Sequence, residues 1–212
     1  MIALVLPAVA SVPARAQVRV RLEMTASVPI NERGVRWPLV KTPDILRDNR
    51  WREALQNSFP LRLRFRVEIW RVRQDWFDAL ERSFQWETVV RYEPLLDQYS
   101  LTRIYGGSAR AFQRFPTLQD LEREMDKSQQ IGIAPAGPGE YYFTGTLQIR
   151  TLTDEEMEEL ERFLEGEPSP DEPHNPGSPI GRAARRLLLR FGGLPAQDLE
   201  ARSGRFEVRG QE

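Results

Sequence analysis

Between positions 61 and 73 the chain reads LRLRFRVEIWRVR, with Leu61, Leu63, Phe65, Val67 and Ile69 on odd positions and Arg62, Arg64, Arg66 and Glu68 on even ones. A period of two puts the five apolar side chains on one face of an extended backbone, where a helix would scatter them around its circumference. The stretch is therefore a β-strand with one face in a core and the other in water. The alternation recurs at 18–25, where Val18, Val20, Leu22 and Met24 stand against Arg19, Arg21 and Glu23. It returns at 84–92 with Phe84, Trp86, Thr88, Val90 and Tyr92, and at 99–105 with Tyr99, Leu101, Arg103 and Tyr105. Further strands are expected at 130–134, 141–150 and 205–209.

Glycine and proline punctuate these runs: Pro29, Gly34 and Pro38 mark a loop, and Pro94, the Gly106-Gly107 pair and Gly137-Pro138-Gly139 mark turns. Helical spacing is confined to connections. Trp51, Ala54 and Leu55 predict a short helix within 49–58, and Thr117 caps a second that carries Leu118, Leu121 and Met125, with Asp120 three residues after the cap. Thr153 and Glu156 form a capping box ahead of Met157, Leu160, Phe163 and Leu164, and Gly166 ends that helix. Many short strands with helices between them predict a mainly β fold, an antiparallel β-sandwich with short helices in the connections. The alternative is an α+β fold in which the helices cover one face of an antiparallel sheet.

The two ends read differently from the middle. MIALVLPAVASVPARAQ holds an uncharged apolar run followed by Ala14, Arg15 and Ala16, the apolar region and small-residue cleavage site of a signal peptide over 1–16, without its basic start. The apolar run is shorter than the roughly 20 residues a spanning helix needs. The mature chain is then expected to begin at Gln17 and to be periplasmic or otherwise exported, soluble after cleavage, with the β-sandwich over 17–165. Positions 166–179, GEPSPDEPHNPGSP, lack the apolar content that repays ordering and read as a flexible linker or loop. Over 180–212 a basic amphipathic helix, Ile180, Ala184, Leu187, Leu188 and Phe191 against Arg182, Arg185, Arg186 and Arg190, precedes a final strand that packs on the same domain. Those four arginines offer a weak contact with a membrane surface, weighed against docking of the helix on the sheet.

Composition narrows the chemistry. A net charge of −1 argues against a general nucleic-acid partner. The absence of cysteine removes disulfides, thiol nucleophiles and thiolate metal sites. The sole histidine, His174, lies in the proline-rich segment, which supplies no rigid shell for a general base. No nucleophile-elbow or phosphate-binding loop motif is present, and neither cofactor nor metal is expected. Acids crowd the helix start at 154–161, where Glu155 and Glu159 are one turn apart, a pattern of a solvated helix face.

Two surfaces remain as binding candidates. Arg62, Arg64 and Arg66 form a cationic strip that needs acids beside it, from Glu23 or Glu87 on neighbouring strands or from a partner. Trp70, on the charged face of its strand, and Trp76, in the turn beyond, could stack on a sugar ring, as could Tyr99 and Tyr105 if exposed.

The run ALQNSFPLRLRFRVEIWRVRQDWFD, followed by WETVVRYEPLLDQYSLTR and FPTLQDLEREM, resembles a bacterial exported family described only as domain of unknown function 4390. The matching features, in order, are Ala54-Leu55, Pro60-Leu61, Trp76, Arg91-Tyr92 and Thr117-Leu118, and the resemblance covers 18–150. It implies an exported protein of the bacterial envelope and supplies no reaction. The function expected is that of a non-enzymatic interaction or accessory module for an unidentified envelope protein. The alternative is a carbohydrate-binding or carboxylate-dependent carbohydrate-active protein.

Overall fold

The computed structural model describes residues 19–74, 76–151 and 196–210. The signal-peptide segment, the helix expected after Thr153, the linker with His174 and the basic helix with Arg182, Arg185, Arg186 and Arg190 lie outside the described residues.

Ten strands and two α-helices follow one another along the described chain. Strands β1 (Glu23–Ala26) and β2 (Pro38–Lys41) precede a single 3-10 turn (Ile45–Arg47) and helix α1 (Asn49–Gln56). Then come β3 (Leu61–Arg71), β4 (Ala79–Glu93), β5 (Gln98–Tyr105) and β6 (Ser108–Phe115), helix α2 (Leu118–Met125), β7 (Gln129–Gln130) and β8 (Gly139–Arg150). The last two strands are β9 (Ala196–Arg202) and β10 (Phe206–Val208).

All pairings are antiparallel. β3 to β6 form a meander, β8 returns beside β3, and β9 and β10 share the outer side of β8. A smaller sheet, in the order β1-β2-β7, packs over β8 and β9, while α1 lies against β3 and β4 and α2 against β5 and β6. The fold is mainly β, as expected. Its second layer is a sheet over one half of the main sheet and helices over the other.

The odd positions of β3 carry the core. Leu61, Leu63, Phe65, Val67 and Ile69 are all buried, flanked by Leu147, Ile149, Phe143 and Tyr141 from β8 and by Trp86 and Val90 from β4. Phe65 stacks on Trp86 with ring centroids 4.6 Å apart. Trp51, Ala54 and Leu55 are the buried face of α1, whose start is capped by Asp48 accepting a hydrogen bond from the Arg50 N–H at 2.9 Å. Thr117 caps α2 in the expected way, its hydroxyl accepting from the Asp120 N–H at 3.1 Å.

The structure departs from the sequence pattern in four places. Burial alternates from Val20 to Met24, but ladder pairing starts only at Glu23. The loop expected around Pro38 contains β2, where proline takes the first position of a strand too short to display a period. The strand expected at 130–134 is reduced to Gln129–Gln130, because among the described residues β2 alone pairs with it. Finally, β6 and β9 lie on sequences without clean alternation, SARAFQRF and AQDLEAR, and are drawn into the sheet by the strands beside them.

Where β9 gives way to β10, the Ser203 N–H donates to the Phe143 carbonyl at 2.9 Å, and the Phe143 N–H donates to Ser203 Oγ at 2.9 Å. One side chain thus replaces a backbone acceptor at the break and keeps the edge of β8 satisfied.

Candidate binding surface

The even positions of β3 face away from the core, on the outer side of the main sheet. Glu87 lies directly opposite Arg64 across the β3–β4 ladder, and its carboxylate accepts from Arg62 Nη1 at 3.0 Å and sits 3.9 Å from Arg64 Nε. Arg66 pairs with Glu68 on its own strand at 2.7 Å. Like charges at alternate positions of a strand repel, and two acids within the sheet offset that repulsion. Of the two acids considered from sequence, Glu87 is the one beside the strip.

Trp70 continues the same face. Its indole N–H is shared between Glu68 Oε2 at 2.9 Å and Thr144 Oγ1 at 3.1 Å, and its ring runs parallel to that of Tyr142 with centroids 6.5 Å apart. The Arg202 guanidinium sits 3.5 Å from the other partner in this row, Tyr142. Trp70 is half-buried and bound within a row that crosses β3, β8 and β9. Tyr99 and Tyr105 are half-buried as well. Tyr99 packs on Tyr92 and Tyr105 on Phe84, so neither offers the exposed ring that sugar stacking requires.

Trp76 is different. It lies in the β3–β4 connection and is 74% exposed, its neighbour Phe77 is 88% exposed, and Leu80 beside them is also exposed. The base of this hairpin is well anchored. The Val72 N–H donates to the Glu140 carbonyl at 2.8 Å, and Arg71 Nη2 donates to the Pro138 carbonyl at 2.9 Å. The Tyr142 hydroxyl donates to Asp78 Oδ2 at 2.9 Å, and Glu81 accepts from the Tyr141 hydroxyl at 2.9 Å. Burial first, and then these carboxylate acceptors, raise the pKa of both tyrosines, so the two hydroxyls stay protonated donors. Two bulky aromatics thus sit on a fixed support. Phe77 was not singled out from sequence, although the signal was there: a Trp-Phe pair occupies a turn where glycine, asparagine or aspartate is usual.

A groove of about 560 Å³ opens at the same end of the molecule, between the β1–β2 connection and β10. Asn31, Glu32, Arg36, Arg205, Glu207 and Arg209 line it. No sequence pattern marks it, because its walls come from the two ends of the domain and meet only through contacts such as the Arg209 N–H to the Arg33 carbonyl at 2.8 Å.

Several acids of the described region are engaged in structural pairs. Hydrogen bonds from Ser100 and Gln98 lower the pKa of Glu93, and those from Thr117 and Arg123 lower that of Asp120. Burial acts to raise Glu124, but hydrogen bonds from Lys127 and Arg103 outweigh it and hold its carboxyl below the ordinary value. A general acid needs the opposite shift. Among the described residues no group of three or more His, Asp or Glu side chains is placed to hold a metal ion, and no helix is long and apolar enough to cross a membrane.

No curated protein and no solved structure matches the chain. A family model described as "Domain of unknown function (DUF4390)" matches residues 44–157, which takes in α1, the meander, the Trp76 hairpin and β8 but neither β1 and β2 nor β9 and β10. That match spans more than half of the 212 residues, and the chain belongs to the DUF4390 family.

Proposed function

We propose that this protein is an exported, non-catalytic interaction module that engages an envelope protein through the aromatic tip of its β3–β4 hairpin. The observation that carries the reading is the exposure of Trp76 and Phe77, at 74% and 88%, on a hairpin whose base is fixed by Asp78, Glu81 and Glu140. Exposed aromatics on a preorganised support lose little conformational entropy when a partner buries them, which is how binding hot spots are built. The downward shifts of Glu93, Asp120 and Glu124 favour a structural role for those carboxylates over acid–base work. Export rests on the apolar run and the Ala14, Ala16 pair ahead of Gln17.

The test is capture from the native envelope with the wild-type chain, the Trp76→Ala/Phe77→Ala variant and a Leu95→Ala control at the exposed β4–β5 turn. A specific protein retained by wild type and control and lost with the tip variant supports the module. An identical captured set for all three removes the tip from the reading. Export is checked by sequencing the secreted chain, whose first residue should be Gln17.

A second reading, glycan binding, is favoured by the groove, where Asn31, Arg36 and Arg209 supply the amide and guanidinium donors that sugar hydroxyls use. Calorimetric titration with cell-wall glycans should then show saturable binding that Asn31→Ala/Arg209→Ala weakens, and no saturable binding argues for the protein partner alone.

A further inference from the structure

β6 is the edge strand of the main sheet, and among the described residues it pairs with β5 alone. Its outward N–H and C=O groups therefore have no partner in the sheet, the condition that invites strand addition. The register shifts opposite Arg103 and Ile104, which leaves Arg110 as an extra residue between Ala109 and Ala111, a bulge that turns away the first part of the edge. Beyond it, Ala111 to Phe115 run in unbroken register with Arg103 to Tyr99, so a five-residue length of regular edge is open among the described residues.

The side chains beside that length share one character. Phe112 is 52% exposed, and the Arg114 guanidinium lies 4.9 Å from its ring centroid. Arg114 stands opposite Ser100, which stands opposite Arg91, so the outer face near the edge carries cations on β4 and β6. Arg91 and Arg110 are exposed and make no ion pair among the described residues. The acid that feels Arg114 and Arg91 most directly, Glu93, is hydrogen-bonded to Ser100 and Gln98. β6 itself contains no acid. The three acids of α2 engage other partners: Glu124 pairs with Arg103 and Lys127, Asp120 with Thr117 and Arg123, and Glu122 with Arg52.

We infer that β6 takes up an extended acidic segment of a partner protein by β-strand addition, with main-chain hydrogen bonds along Ala111 to Phe115. Side chains on one face of a strand recur every second residue, so Arg114, Phe112 and the bulged Arg110 select an acid, an apolar residue and an acid at alternate positions. A second copy of this chain is a poor occupant, because antiparallel pairing of β6 with itself brings Arg110 and Arg114 against the same cations. The strand lies apart from the Trp76 hairpin, so this site goes beyond the function proposed above and is tested separately.

The probe is a labelled synthetic peptide, Thr-Glu-Val-Leu-Val-Glu-Thr, added to the full-length chain and followed by fluorescence anisotropy and amide hydrogen exchange. Saturable binding is expected, with the outward-facing amides of Ala111 to Phe115 slowed on addition. Arg110→Glu/Arg114→Glu should weaken it by about tenfold or more, as should high salt. Peptides N-methylated in one alternate phase or the other separate strand addition from charge attraction: one phase should abolish binding and the other leave it largely intact. If the charge-reversed variant does not fold, Phe112→Ala changes only an exposed side chain and should still weaken binding. Four outcomes each overturn the inference: no saturable binding, equal binding of a lysine-for-glutamate peptide, indifference to both methylation patterns, or a concentration-dependent dimer that protects β6 without peptide.

Discussion

Glu87 faces Arg64 across the β3–β4 ladder, yet its shorter bond, 3.0 Å, is accepted from Arg62 on the diagonal. One carboxylate thus serves two guanidinium groups, with the Arg62 and Glu87 side chains only 18% and 22% exposed. Removing the acid takes from Arg62 the carboxylate it donates to at the sheet surface. Glu87→Ala should destabilise the fold by about 1–3 kcal/mol, the range for losing a charge-assisted hydrogen bond, and Glu87→Gln by less because an acceptor remains. Chemical denaturation of the two variants measures the difference.

On the opposite face of the same strand, Phe65 is buried and stacked on Trp86. Phe65→Ala should cost about 3–5 kcal/mol, combining lost burial with a cavity beneath Trp86. Tryptophan emission should shift to the red as water gains access to the indole.

Two glycines should respond unequally to alanine. A Cβ on Gly145 would press on Met24 Cε, the free end of a flexible side chain that can swing aside. A Cβ on Gly34 would lie 2.8 Å from the Glu207 backbone oxygen, at a φ of +81°. Neither the backbone contact nor the left-handed conformation can relax cheaply, so Gly34→Ala should lower the melting temperature more than Gly145→Ala. The reverse order would mean that the β1–β2 connection yields more readily than its contact with β10 implies.

Acid should weaken the seam between α2 and the sheet. Glu124 has a folded-state pKa below its unfolded value of about 4.3, so its contribution is fully present above that pH and is lost as pH falls through the folded value. Asp120 acts in the same direction. Stability should decline as pH falls below the ordinary carboxylate range, and Glu124→Gln, already without the charge, should show a shallower decline. Thermal unfolding across the acid range gives both slopes.

Much of the fold was legible from residue order alone, because burial on one face of a strand imposes a period that composition cannot hide. β3 and its odd-numbered core, β4, β5 and β8, both helices with the Thr117 cap, and the placement of Trp76 in a turn all followed from spacing and punctuation. Only the tertiary structure decided which strands join. β2 and β7 are too short to show a period, and β6 is an edge strand whose outer face carries little burial constraint; β9 does alternate in burial, but Leu199 is the one large apolar residue on its inner face. The surface was divided in the same way. Sequence placed Arg62, Arg64, Arg66, Trp70 and Trp76 on the outside as equals. Register then bound the arginines to Glu87 and Glu68, and Trp70 to Glu68 and Thr144, leaving Trp76 with Phe77 exposed. The groove between the β1–β2 connection and β10 exists only because distant segments meet, and which strand takes the edge position beside β5 is likewise set by the fold, and no local pattern records either.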